Sequence, residues 1–366
     1  MMYLLLLLLI AGILLSSHLL TRRYGFQHIE YQLQFDKNEV TEGETVTLIE
    51  RICSRKALPI PWLKVEMTTH ASLKFARSQS TVSESTRFIS SFFALHPYRQ
   101  IERRWQVECT QRGIFSVAHI ILVITDLFGT LELSKALHEC AATLTVLPSP
   151  MDFTLPQPLT LPLNGQPIKR RLIPDRMAMD GLRPYQDGEP IRDICWSATA
   201  RFDTPMVYQF LDTVQPSITV VLNMTTREYD RDFASDLSAL EQAIKLCTAL
   251  IEQGQALQIP TRFCANTAID HTNVNTQAAK GASHIHHLLQ ILAALPNTIT
   301  ERFSNLLCRI CQQEHHAAIY VVTALVDEEL LRLAALYPNI TVVTIRQLSP
   351  AHRLPNLYSA ACSANH

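Results

Sequence analysis

A chain of 366 residues with 47% hydrophobic and 7% aromatic residues carries enough apolar material for packed cores, which excludes wholesale disorder. Its 32 Lys and Arg against 33 Asp and Glu leave a formal net charge of -1, so the summed field offers nucleic acid no attraction. The length suggests two or three domains.

The N-terminus reads "MMYLLLLLLIAGILLSSHLLTRRYG", with no Asp, Glu, Lys or Arg from Tyr3 to Leu20. That run is about the minimum length of a membrane-spanning helix, so residues 3–20 read as an anchor. The missing basic segment before it, and the missing small-x-small cleavage site after it, argue against a cleaved signal peptide. Arg22 and Arg23 follow directly, and the positive-inside bias then places everything after Tyr24 in the cytoplasm. The expected protein is single-pass, in the inner (cytoplasmic) membrane, with its soluble domains facing the cytoplasm.

Nine cysteines, an odd number without regular spacing, suit reduced thiols better than a disulfide framework. Cys308 and Cys311 form one CxxC-spaced pair in a helical pattern, with His315 and His316 just beyond. Without a second CxxC, they read as buried packing residues rather than zinc ligands.

From 28 to 147 the chain reads as short alternating strands, among them "YQLQF", "ETVTLIERI", "WLKVEMTT", "RFISSFFAL", "RRWQVECT", "HIILVIT" and "ATLTVL". Regular short strands with turn signals predict an all-β sandwich or barrel, and an Ig-like sandwich is the fold expected here. Turns fall at Arg112-Gly113 and at Asp126-Leu127-Phe128-Gly129, with the glycines serving the backbone. Prolines crowd from Pro148 to Pro174, and residues 148–180 read as a linker, its Lys169-Arg170-Arg171 triplet as a solvated charge run in preference to a contact for anionic headgroups. Residues 181–350 then alternate apolar runs with helical segments: "SITVVLNM", a long helix ending at Gly254, "PTRFCAN", "HIHHLLQILAAL", "ERFSNLLCRICQQEHH", "AAIYVVTAL", "DEELLRLAALYP" and "NITVVTIRQ". This order predicts a doubly wound α/β sheet, whose ligand positions are the loops after Leu222 and Val322. His284, His286 and His287 read as surface or half-buried helix residues. Residues 351–366 form a tail.

The stretch "GLRPYQDGEPIRDICWSATARFDTPMVYQF", residues 181–210, is the densest in chemistry. Arg183, Arg192 and Arg201 recur nine residues apart, with Asp187, Glu189, Asp193 and Asp203 at hand as bidentate partners. Such pairs, with Tyr185 and Trp196 beside them, would lock an irregular segment against a domain as a structural clasp. A partner surface rich in Arg, Trp and Tyr stays open as the second reading. An enzyme site ranks last: the stretch holds no His, Cys195 has no evident base, and neither GxSxG nor a phosphate-cradling glycine loop occurs. A carboxylate hydrolase would need two acids, such as Asp187 and Glu189, facing a cleft roughly 5–10 Å apart.

Arg183, Tyr185, Gly188, Arg192, Ile194, Trp196, Ala200 and Arg201 fall where the domain-of-unknown-function family 58 has its motif, with Glu189 in place of the family's Asp. Upstream, "CTQRGIF" and "DLFGTLELS" are similar to the family's Arg-Gly and Asp-Pro-Phe-Gly turns, with Leu127 for the proline. The chain thus resembles that family over nearly its whole length. The resemblance implies a membrane anchor, a β-domain and a von Willebrand factor A-like domain. Arg183, Tyr185, Asp187, Gly188, Arg192, Trp196 and Arg201 are then the motif and interaction residues, with no catalytic residue and no cofactor.

Metal-competent A-like domains carry Asp-x-Ser-x-Ser after the first strand and a Thr and an Asp later. Here Asn223, Thr225 and Arg227 take the first three places, and Thr323 is followed by Ala324. Hard cations want carboxylates, so loss of the metal site is expected. The resemblance also implies a partner, a MoxR-type AAA+ ATPase, and hence a non-enzymatic scaffold or adaptor in complex assembly or maturation. A structural envelope-assembly protein without an ATPase is the alternative.

Overall fold

Hydrophobic patterning divides the chain into an apolar helix, a β-sandwich and a mixed α/β region. The computed structural model describes residues 2–76, 80–83, 85–126, 128–137, 141–152, 174–186, 191–202, 204–212, 217–314, 317–337 and 339–345. Helix α1 (Met2–Tyr24) is long and apolar enough to cross a membrane. Its side chains from Leu6 to Ile13 are exposed, while Ser17, Leu20 and Thr21 line a cleft against the sandwich.

The sandwich holds β1 (Ile29–Phe35), β2 (Glu39–Thr41), β3 (Thr45–Ser54), β4 (Ile60–His70), β5 (Leu73–Phe75), β6 (Ser80–Ser83), β7 (Thr86–Leu95), β8 (Gln100–Cys109), β9 (Gly113–Thr125), β10 (Glu132–Leu137) and β11 (Ala142–Leu147). One sheet runs β1-β3-β8-β5 and the other β2-β11-β9-β4-β7-β6, with β10 added on β9. Alternation sends Val46, Leu48 and Ile52 inward from β3, against Leu63, Val65 and Val107. Glu50 falls in the same inward register and is fully buried. Its carboxyl accepts hydrogen bonds from Tyr31 Oη at 3.1 Å, Trp105 Nε1 at 3.1 Å and Ser91 Oγ at 3.3 Å. Burial still pushes it above the usual carboxylate range.

The segment expected as linker gives way to strand at its end. β12 (Pro174–Pro184) pairs antiparallel with β13 (Met206–Asp212), and α2 (Trp196–Phe202) lies between them. Pro174 and Pro184 stand at the two ends of β12, where a missing N–H interrupts no interior ladder bond. The 351–366 tail lies outside the described residues.

The α/β region contains β14 (Ile218–Leu222), α3 (Leu237–Ala256), β15 (Thr261–Ile269), β16 (Thr272–Asn275), α4 (Ala282–Ala294), α5 (Phe303–Gln313), β17 (Ala318–Thr323), α6 (Glu328–Leu336) and β18 (Ile340–Thr344). The sheet order is β16-β15-β14-β17-β18, parallel except for the edge strand β16. Leu240, Ile244, Leu288 and Leu292 of α3 and α4 share a core with Val220, Leu222 and Phe263. On the opposite face, Leu306, Ile310, Cys311 and Leu330 of α5 and α6 pack with Val221, Cys264 and Val321. The sheet is therefore covered on both faces. Cys311 is a packing residue whose thiol burial pushes up to about 11. Helix α3 runs past Gly254, which sequence reading took as its end. A Cβ there would stand 2.6 Å from Thr261 Oγ1, so this glycine admits β15 to close approach.

The two domains meet across α3 and α4. Arg112, in the turn between β8 and β9, reaches into the α/β domain with a side chain only 6% exposed. Its Nε donates to Glu241 Oε2 of α3 at 3.1 Å. Its Nη1 donates to the carbonyls of Leu292, Ala293 and Leu295 at 2.8, 3.2 and 3.3 Å, at the C-terminal end of α4. Those carbonyls have no partner within their helix and carry the negative end of its dipole. Beside this contact, Lys245 Nζ pairs with Glu42 at 2.8 Å, and His286 and Gln290 meet Glu39 at 2.8 and 2.6 Å.

Arg112→Ala would strip the partner from Glu241 and from the α4 terminus at once, an expected loss of about 3 kcal/mol. Scanning calorimetry of the variant should then separate sandwich and α/β transitions that overlap in the native protein; an unchanged profile would show that Arg112 does not couple them.

Candidate functional site

The doubly wound sheet reverses its strand order at β14 and β17, so the loops leaving their carboxyl ends flank a crevice. The structure brings together the two loops expected there. Asn223, just past β14, donates from Nδ2 to Thr323 Oγ1 at the end of β17, at 3.1 Å. Asn223 Oδ1 in turn accepts from Thr225 N at 3.0 Å, so both ends of the amide are engaged. Thr323 Oγ1 also donates to Leu325 O at 2.6 Å, and Met224 N is held by Asn266 Oδ1 at 2.8 Å.

The following turn is organised by Asp230. Its carboxylate accepts from Thr226 N and Oγ1 at 2.9 and 2.6 Å, from Arg227 N at 3.0 Å and from the Ser235 hydroxyl. Burial opposes ionisation, but the bonds from Ser235, Thr226 and the backbone outweigh it and hold Asp230 well below the usual carboxylate range. Asp236 N-caps α3 by accepting from Ala239 N at 3.1 Å. Arg227 lies exposed, 3.6 Å from the Asp236 carboxylate.

These donors do not fit a hard divalent cation. Such an ion takes carboxylate, carbonyl and water oxygens. Here the amide of Asn223 and the hydroxyl of Thr323 are spent on each other, Asp230 is turned onto backbone amides, and Ala324 offers a methyl. Among the described residues no group of three His, Cys, Asp or Glu side chains could hold a metal ion.

The second place is the motif. Arg183 lies half-buried on β12, and Tyr185 follows it with its N–H donating to Pro205 O at 2.8 Å. Arg192 sits in a 3-10 turn over Ile191–Asp193, and Arg201 is exposed on α2. Asp187, Gly188, Glu189 and Asp203 lie outside the described residues, and with them most of the expected carboxylate partners. What closes the described part is finer: Cys195 N donates to Met206 O at 2.8 Å, and Thr199 Oγ1 both donates to Cys195 O and accepts from Met206 N, each at 3.0 Å. Hydrogen bonds from Ser197 and Tyr208 bring the Cys195 thiol below its ordinary range.

Trp196 departs from expectation. A side chain that locked the segment against a domain would be buried, yet Trp196 is 66% exposed. Helix α2 has only seven residues and buries Ala198, which faces away from Trp196 across the helix. Ile191 and Phe202 are also more than 60% exposed, and Leu182 on β12 is 43% exposed.

Two structural residues were not anticipated: Arg112, read only as part of a glycine turn, and Glu50, read only as part of a strand. Their signal was present in hindsight, as an arginine before the turn glycine and a charge at an inward strand position. His284, expected as a half-buried helix residue, bonds through Nε2 to Thr261 O at 2.8 Å.

Residues 181–360 match the family model described as protein of unknown function DUF58, which supports the family resemblance over that part of the chain. No curated protein sequence matches. Among solved structures, similar ones include the CARDB domain of a Pyrococcus furiosus protein, at 14% identity over 33% of this chain and 96% of that one, with a TM-score of 0.22. A non-cellulosomal cohesin from Archaeoglobus fulgidus shares 10% identity over 32% and 91%, with a TM-score of 0.23. The sporulation control protein Spo0M of Bacillus subtilis shares 10% over 33% and 50%, with a TM-score of 0.21. At these scores the similarity carries no functional argument.

Asp230 gives a signed pH dependence. Its depressed pKa means that its stabilisation is present above the unfolded value of about 3.9 and is lost as pH falls through that value toward the folded one. Asp230→Asn is expected to cost about 2 kcal/mol at neutral pH and to flatten the acid limb. Urea unfolding from pH 7 to pH 3 checks both; equal stability of the two proteins at pH 7 would contradict the assignment.

Proposed function

We propose that this protein is a membrane-anchored, non-enzymatic scaffold or adaptor whose partner docks on the apolar face of the 181–210 motif. The observation that carries this reading is the exposure of Trp196, Ile191, Phe202 and Leu182 within one short unit, next to Arg201. Large side chains of this kind, with arginine beside them, are what interface hot spots are made of. The anchor is α1, and Arg22 and Arg23 at its end favour a cytoplasmic position for the rest.

The α/β domain is von Willebrand A-like in this reading. Support comes from a first strand, β14, placed centrally between β15 and β17, and from the antiparallel edge strand β16. The metal-dependent mode of ligand capture is set aside, because the loop at Asn223 has closed on itself. Resemblance to the family supplies the partner, a MoxR-type AAA+ ATPase, and the setting, complex assembly or maturation. The alternative is an envelope-assembly protein without an ATPase.

Affinity capture with the full chain in detergent, with Mg²⁺ or with chelator, tests this. A MoxR-type AAA+ ATPase should be retained in both conditions, and Trp196→Ala should weaken retention about tenfold or more. Retention that requires Mg²⁺ would restore a metal role to the Asn223 loop. Retention undiminished in the variant would move the interface elsewhere, and absence of any ATPase would favour the envelope-assembly alternative.

A further inference from the structure

The reading of α1 as a membrane span has a geometric consequence for the sandwich. At 1.5 Å per residue, a hydrocarbon core of about 30 Å takes about 20 helical residues, so nearly all 23 residues of α1 are needed. The sandwich, however, accompanies the helix well before its end. Ser17, Leu20, Thr21 and Gly25 lie against it, and Ser17 is only 8% exposed. Ser17, Thr21 and Gly25 line a cleft whose other wall is Leu58 to Pro61 with Ile124 to Asp126. Residues 2–16 alone reach about 22 Å, too short to span.

The helix is also fastened where it meets the sandwich. Lys56, 8% exposed, donates from Nζ to Tyr24 O at 2.7 Å and to Gly25 O, capping the last carbonyls of α1. Gly25 N closes back on Thr21 O at 2.8 Å.

We propose that the end of the β-sandwich beside α1 is a membrane-docking surface, seated in the headgroup region through Leu58, Pro59, Pro61, Trp62 and Phe128. The inference rests on the anchor reading of α1. The side chains at this end have the chemistry of that layer. Trp62 is 61% exposed and Phe128 51% exposed. The β4–β9 register sets Trp62 opposite Thr125, so the turn carrying Phe128 begins at its side. Trp is amphipathic and concentrates at membrane interfaces, and Pro59 and Pro61 have no N–H to leave unhydrated there. Arg22 and Arg23, exposed at the end of α1, face the same layer and suit its phosphates. The occupant is the lipid interface because this surface is continuous with the span itself.

The full chain, reconstituted into phosphatidylcholine and phosphatidylglycerol vesicles with acyl chains brominated near the headgroup, provides the test. Of the three tryptophans, Trp62 should be the one in reach of bromine, so Trp62→Phe should remove most of the quenchable emission. Its exposed position makes this variant safe for folding. Chain that resists alkaline extraction but is quenched equally with and without Trp62 overturns the docking surface and leaves the anchor standing. Chain that alkali strips from the vesicles overturns the anchor and the docking surface together. Trp62 emission that depends on protein-to-lipid ratio and is untouched by bromine assigns the surface to a second copy of the chain, against the proposal.

Discussion

A buried guanidinium must find acceptors for its donors or forfeit its burial, and Arg112 finds them in the other domain. Three carbonyls at the end of α4 and the carboxylate of Glu241 on α3 receive it. Neither side is satisfied without the other, because the end of a helix leaves carbonyls open and a charge in that setting costs several kcal/mol unpaired. Gly113 follows with φ 148°, and a Cβ at that position would stand 2.9 Å from the Phe115 ring, so the backbone turn that aims Arg112 depends on glycine. Everything that the sandwich positions, including the helix α1 fastened at Lys56, is thereby placed relative to the sheet that carries Asn223.

The same device recurs at smaller scale. Asp126, 1% exposed, closes the turn after β9 by accepting from Thr130 N and Oγ1, both at 2.6 Å, and from Leu131 N at 3.2 Å. Asp230 does so for the loop after β14, Lys56 for the end of α1, and Glu50 ties Tyr31, Ser91 and Trp105 together inside the sandwich. These four buried or half-buried ionisable groups join neighbouring segments, each turned onto backbone or onto a neighbour's donor. A group so committed gains rigidity for its loop and gives up the open lone pairs that proton transfer or metal binding would need.

This explains what could be read from the sequence and what could not. Strand alternation and helical periodicity are local, so β1, β3, β4, β7, β8 and β9 and the helices α3 to α6 were legible within a few residues of their bounds. The meeting of Asn223 with Thr323 was legible too, because sheet topology fixes where the loops after β14 and β17 emerge. Arg112 and Glu50 were not, since their partners lie 129 to 183 residues away for the one and 19 to 55 for the other. Gly254 misled for a related reason: near a helix end, a glycine is commonly a cap, but here the determinant is Thr261 on the next strand. Trp196 misled because arginine and aromatic spacing alone does not tell a side chain that locks a segment from one that the segment displays.

That last distinction bears most on function. A clasp and a docking surface use the same residues, and burial separates them. In the motif, Thr199, Ala198, the backbone of Cys195 and Met206, and the Tyr208 hydroxyl on the Cys195 thiol bring β13 and α2 together. Once the unit is closed in that way, Trp196 and Phe202 contribute nothing to it in proportion to their size. Large apolar side chains left in water cost solubility, and the exposure of several within one short unit is what the docking proposal rests on. The motif therefore divides by burial: Cys195, Ala198 and Val207 are buried, Arg183, Tyr185 and Tyr208 half-buried, and Leu182, Ile191, Trp196 and Phe202 exposed, and it is on those exposed four that the docking proposal rests.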